Sequence, residues 1–188
     1  MAQTPSNMLP LGTKAPAFSL PDTVSGKTLT LDALKGARGT VVMFICNHCP
    51  YVKHVNGELV RVAKHYQPKG VAFIAISSND VVSHPEDAPD KMHTVAWQLG
   101  YPFPYLYDET QAVAKAYQAA CTPDFFLFDA NLACVYRGQL DDSRPGNGKP
   151  VNGKDLRAAM EALLAGKPID SAQKPSVGCN IKWKAERP

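Results

Sequence analysis

Apolar residues along this chain alternate between short continuous runs and stretches recurring every three or four positions, which is how buried strands and one-faced helices are written. Residues 40–45 (T-V-V-M-F-I) are continuously apolar, as a central strand buried on both faces requires. From Pro50 onward Val52, Val55, Leu59, Val62 and Tyr66 recur at helical spacing, and Pro50 suits a first turn, where no backbone N–H is needed. Residues 71–76 (V-A-F-I-A-I) predict a second buried strand, which completes a βαβ unit.

The next helix is marked by Met92, Val95, Ala96 and Leu99, opened by Pro89-Asp90 and stopped by Gly100 and Pro102. A short strand at 105–107 and a short helix at 110–117 follow. Residues 125–128 and 134–137 predict a hairpin around Asp129-Ala130-Asn131, and Leu156, Ala159, Met160, Leu163 and Leu164 a last helix. Residues 18–20 and 27–31 read as a small hairpin near the N-terminus. The opening 1–14 reads as a loosely held arm, residues 146–153 as a polar loop, and 169–188 as a tail with no periodicity. The expected fold class is α/β: a central mixed sheet flanked by helices, with an N-terminal β-hairpin extension. We expect one domain over 1–188, with its core at about 11–165.

Composition narrows the function. At 188 residues and 45% apolar content the chain can build one core. Its net charge of +3 is scattered, with no run of Lys or Arg longer than two, so no nucleic-acid partner is expected. No stretch approaches the roughly 20 apolar residues that span a bilayer. The first twenty residues hold no apolar core of a secretory signal. The expectation is a cytoplasmic protein with no membrane partner.

Five cysteines stand at 46, 49, 121, 134 and 179, and only Cys46 and Cys49 form a close pair. In a reducing compartment a lone C-x-x-C is more often catalytic or metal-binding than structural. A zinc site needs a second pair that is missing, so neither metal nor cofactor is expected. A copper-binding reading would use Cys46, Cys49 and a distant histidine such as His84 or His93. A disulfide exchanger needs a thiolate, a second thiol in reach, and access. Cys46-Asn47-His48-Cys49 at a strand-to-helix junction supplies these, since a helix N-terminus lowers the pKa of a nearby thiol. Cys46, where the strand ends, is expected to be the more exposed and the more acidic sulfur, with His48 as an added stabiliser. Partners would be protein or small-molecule thiols and disulfides, with an upstream thiol reductant. Late in the chain, Thr122-Pro123 enters a strand, and we favour a cis-proline loop that faces the cysteine pair and presents backbone to substrate.

V-V-M-F-I-C-N-H-C-P followed by T-P-D-F-F-L-F-D resembles the thioredoxin-like superfamily. L-G-T-K-A-P-A-F-S-L-P-D with T-L-T-L-D-A-L-K-G is similar to its alkyl hydroperoxide reductase/thiol-specific antioxidant (redoxin) branch. P-S-V-G-C-N-I-K-W-K resembles the C-terminal signature of a bacterial subfamily often labelled thioredoxin family protein or probable thiol-disulfide isomerase. The resemblance implies a thiol-disulfide oxidoreductase with Cys46 as nucleophile, Cys49 as resolving thiol and Pro123 as the cis-proline. Asn47, Pro50 and Thr122 are then expected to contact substrate, and Cys179 to be either an inert tail thiol or a third redox cysteine. Three features depart from the pattern. Ile45 stands where thioredoxins place Trp before the first Cys. Residues 40–45 lack the buried acid of thioredoxins, which leaves His48 as the nearest proton acceptor. Cys49-Pro50 fits the end of the peroxiredoxin motif P-x-x-x-T-x-x-C-P, but Cys46 takes the Thr position, and the peroxide-activating Arg aligns with Pro123. A peroxidase acting through Cys49 is the runner-up, and a metal-binding redoxin module the third reading.

Overall fold

The computed structural model describes residues 3–185. Its chain order is β1 (Gln3–Pro5), β2 (Ser19–Pro21), β3 (Thr28–Thr30), α1 (Leu31–Leu34), β4 (Gly39–Phe44), α2 (Pro50–Tyr66), β5 (Val71–Ser77), α3 (Pro89–Leu99), β6 (Tyr105–Tyr107), α4 (Ala112–Ala116), β7 (Cys121–Thr122), β8 (Asp124–Asp129), β9 (Cys134–Gly138), α5 (Lys154–Leu164) and β10 (Val177–Asn180). The continuous apolar run became the middle strand of a five-stranded sheet ordered β6-β5-β4-β8-β9. β4 runs parallel to β5 and antiparallel to β8, so the sheet is mixed, as the crossover and the late hairpin demand.

Side chains alternate across β4. Val41, Met43 and Ile45 face one core with Val52, Leu59 and Val62 of α2. Val42 and Phe44 face another with Leu9, Phe18, Tyr117 and Phe126. Burial on both faces explains why all six residues of β4 are inaccessible. The small hairpin β2–β3 forms as expected, and Thr30 caps α1 by accepting from Ala33 N at 3.2 Å.

Two expectations are corrected. The opening is not a loose arm, and the terminal segment is not an unstructured tail. β1 pairs antiparallel with β10, which pairs on its other side with β7, giving a second sheet ordered β1-β10-β7. Leu9 and Ile181 are buried with the sheet's second core. The strands are too short to show periodicity, and backbone pairing across the whole chain holds them.

Candidate active site

The chain leaves β4 at Phe44 and enters α2 at Pro50, with Cys49 as the helix N-cap. The cysteine loop is therefore a bridge between two strongly specified elements. Cys46 is 2% exposed and Cys49 is 0% exposed, so the expected accessibility of Cys46 is corrected: both sulfurs are covered. Both lie in one buried cluster. Cys46 Sγ lies 3.5 Å from Thr122 Oγ, and Cys49 Sγ lies 3.3 Å from the Thr122 carbonyl oxygen. The Thr122-Pro123 bond is cis, and it stands beside the cysteine pair. One edge of β7 is paired with β10, so the Thr122 backbone is engaged within the chain.

The two thiols differ in the direction opposite to expectation. Cys49 is held well below the ordinary thiol value, chiefly because the Cys46 thiol donates to it, and then because Cys179, Thr122 and the Val52 N–H also support its charge. Cys46 is raised by that shared hydrogen bond, by burial and by the Asp87 carboxylate. The Thr122 carbonyl favours a protonated Cys49, but several donors outweigh one acceptor. Position along the helix acts in the same direction. Cys49 is itself the N-cap, whereas Cys46 sits three residues ahead of it, outside the reach of the first turn's N–H groups.

The amides that could have faced Cys46 go instead to Asp87, in the turn before α3. Asp87 Oδ1 accepts from Asn47 N at 2.8 Å and His48 N at 3.1 Å. Its Oδ2 accepts from His48 Nδ1 at 2.6 Å and from Asn79 Nδ2 at 2.8 Å. Because a carboxylate only accepts, Nδ1 is the protonated ring nitrogen of this contact. That nitrogen also lies 3.9 Å from Cys46 Sγ, so its proton is already committed to Asp87 and the expected support of Cys46 by His48 is weakened. The His48 ring stacks on His84, centroids 4.9 Å apart.

The remaining sequence candidates sort by contact. Asn47 was expected to meet substrate, but both ends of its amide are used internally: Oδ1 accepts from the Tyr105 hydroxyl at 2.9 Å, and Nδ2 donates to the Glu86 carbonyl at 2.9 Å. Pro50 is exposed at the first position of α2. Cys179 stands opposite Thr122 in β10 and is buried in the same cluster as Cys46 and Cys49. Cys121 and Cys134 are buried in strands. Of the histidines weighed for copper, His84 reaches the site, while His93 bonds the Thr23 carbonyl. Donor atoms of Cys46, His48 and Asp87 lie within 4.8 Å of one another. A metal there would have to displace the His48–Asp87 bond and strip Asp87 Oδ2 from Asn79.

Comparison with other proteins fixes the lineage. Residues 11–137 match the AhpC/TSA family, well over half of the 188 residues. The chain belongs to the AhpC/TSA family. An uncharacterized conserved protein from Geobacillus kaustophilus is 61% identical with a TM-score of 0.98, over 100% of this chain and 99% of that one. A hypothetical protein from Sinorhizobium meliloti 1021 is 49% identical with a TM-score of 0.95, over 97% and 100% respectively. A thiol:disulfide interchange protein of the thioredoxin family from Chlorobium tepidum TLS shares 19% identity and a TM-score of 0.62, over 81% and 97%. That last likeness speaks for the fold, which is thioredoxin-like. No curated protein matches the chain at a significant level.

In this AhpC/TSA member the residues that sequence reasoning missed are those gripping the cysteine loop from a distance: Asp87, Asn79 and Tyr105. Their only sequence signal is weak. Asp87 falls in P-E-D-A-P-D, which reads as a helix opener, and Tyr105 in an aromatic run that reads as core. No helix among the described residues is long and apolar enough to cross a membrane.

Proposed function

We propose that this protein is a thiol-disulfide oxidoreductase that works by closing and opening a Cys46–Cys49 disulfide. The observation that carries the reading is the convergence of both sulfurs on Thr122 at the N-terminus of α2, with Cys46 Sγ 3.5 Å from its hydroxyl and Cys49 Sγ 3.3 Å from its carbonyl oxygen. The pair shares one proton once Cys49 has ionised. Cys46 is assigned the attacking role because it adjoins the half-buried Asn47 and His48, whereas Cys49 is enclosed by Thr122 and Cys179. As Cys46 attacks a substrate disulfide, its proton crosses to Cys49, a mixed disulfide forms, and the first substrate thiolate leaves. That thiolate takes the proton from Cys49. Cys49 then attacks Cys46, closing the internal disulfide and releasing the second substrate thiolate.

The test is trapping. In Cys49→Ser, which lacks the resolving thiol, a mixed disulfide through Cys46 should accumulate on a non-reducing gel. Adducts in Cys46→Ser but not in Cys49→Ser would overturn the assignment. One observation favours a second reading: the acidic thiol is Cys49, the position that matches the peroxiredoxin motif. On that reading Cys49 attacks a hydroperoxide, and peroxide consumption survives in Cys46→Ser.

A further inference from the structure

Neither the internal disulfide nor the family accounts for β10. Val177–Asn180 is inserted between β1 and β7, with Cys179 opposite Thr122 and Asn180 opposite Cys121. The seat is tight. A Cβ on Gly178 would lie 1.9 Å from the Thr122 carbonyl oxygen and 3.2 Å from Pro123 N, so at 178 only glycine lets the strand approach. Ser176 Oγ donates to the Pro123 carbonyl at 2.6 Å, and Ile181 N to the Ala120 carbonyl at 3.1 Å. Beyond the strand, Lys182 N donates to Asn79 Oδ1 at 2.8 Å, and Asn79 in turn holds Asp87. The segment is pinned on both sides of Cys179, which fixes where its sulfur stands.

That sulfur is buried in the same cluster as Cys46 and Cys49, and Cys179 stands opposite Thr122, whose carbonyl oxygen lies 3.3 Å from Cys49 Sγ. Cys49 thus shares its buried cluster with two other thiols, Cys46 from its own loop and Cys179 from β10. We propose that Cys179 is a third redox cysteine, which competes with Cys46 as the disulfide partner of Cys49. The proposal rests on the reading of Cys46–Cys49 as a working disulfide. In the exchange, the Cys179 sulfur attacks Cys49 Sγ, the Cys49–Cys179 bond forms and the Cys46–Cys49 bond breaks. The proton lost by Cys179 is taken up by the departing Cys46 thiolate. No outside oxidant or reductant enters, and the two electrons' worth of oxidation stays within the protein. The product carries its disulfide beneath β10 and returns a Cys46 thiol to the Asn47–His48 side. Cys121, also near, is not part of the exchange. Its thiol points to the Pro123 carbonyl at 3.7 Å, and burial pushes its pKa far up.

Full-length wild type, Cys46→Ser, Cys179→Ser and the Cys46→Ser/Cys179→Ser double variant are oxidised with glutathione disulfide. Remaining thiols are alkylated, and the disulfide peptides are mapped by mass spectrometry. Cys46→Ser should yield an intramolecular Cys49–Cys179 peptide that is lost in the double variant, and the wild type should yield both Cys46–Cys49 and Cys49–Cys179 peptides. Cys46→Ser that carries glutathione on Cys49 with Cys179 fully alkylated would overturn the proposal, and this variant leaves the packing around Cys179 native. Absence of a Cys46–Cys49 peptide from oxidised Cys179→Ser would instead overturn the reading beneath it.

Discussion

Asp87 grips His48 twice, taking the ring Nδ1–H on Oδ2 at 2.6 Å and the backbone N–H on Oδ1 at 3.1 Å. With Asn47 N and Asn79 Nδ2 on the same carboxylate, a fully buried acid from the turn before α3 sets the shape of the cysteine loop. It also places negative charge beside Cys46, which disfavours a second thiolate there.

Asp87→Asn removes that charge and weakens charge-assisted bonds. Cys46 should then ionise at lower pH than in the wild type, read as a rise in its share of alkylation relative to Cys49 across a pH series. Stability should fall by about 2 kcal/mol, the scale of a buried hydrogen bond to a charged group, read by denaturant unfolding. An unchanged Cys46 share would contradict the role given to Asp87.

The ionisation of Cys49 supplies a pH dependence. Its pKa is lowered, so the Cys49 thiolate that would take the Cys46 proton is present above that pKa and is lost as pH falls through it. Thiolate absorbance should therefore show a first midpoint well below the free-thiol value of about 8.5. Cys46→Ala deletes the largest stabiliser of that charge and should move the midpoint upward. Cys49→Ser should abolish the low midpoint altogether.

Gly178→Ala tests the seat of β10. The added methyl meets backbone at 1.9 Å, and backbone cannot rotate aside as a long side chain can. The cost should be about 1–3 kcal/mol or more, the range for overpacking. Hydrogen exchange should quicken at β1 and β10 before β4 and β5 are affected. Equal quickening throughout would deny β10 a separable seat.

Asp124 predicts a stability profile. It begins β8, is 0% exposed, and its Oδ1 has no hydrogen-bond partner among the described residues. Burial raises its pKa to about 8, against an unfolded value of about 3.9. Between those values the folded state holds a proton that the unfolded chain has lost. The stability it contributes is therefore complete below about 3.9 and drains away as pH rises through 8. Asp124→Asn should flatten the profile in that window, removing a slope of up to about 1.4 kcal/mol per pH unit. Thermal unfolding across the window reads it.

What the sequence disclosed follows from how local each signal is. β4, α2 and the C-x-x-C between them are contiguous, so periodicity and motif agree on one junction. The grip of Asp87 on that junction spans 39 positions and leaves no periodic trace. β10 was read as tail because V-G-C-N has two buried residues and no repeat to count. The order of acidity between the two thiols departs from the expected one chiefly because the Cys46 thiol supports the charge on Cys49, and position along the helix acts the same way. Helix charge acts within one turn, and the N-cap proved to be Cys49 rather than Cys46.

The pairing of β1 with β10 has a consequence for biosynthesis. Among the described residues β1 has no strand partner except β10, and β7 has none besides it. A ribosome delivers Gln3 long before Cys179. β1 must therefore wait, without its strand partner, while the chain between it and β10 is made. Over the same interval the edge of β7 and the flank of Cys49 lie open. Closure over the cysteine pair thus cannot precede the emergence of residues 176–182 from the exit tunnel.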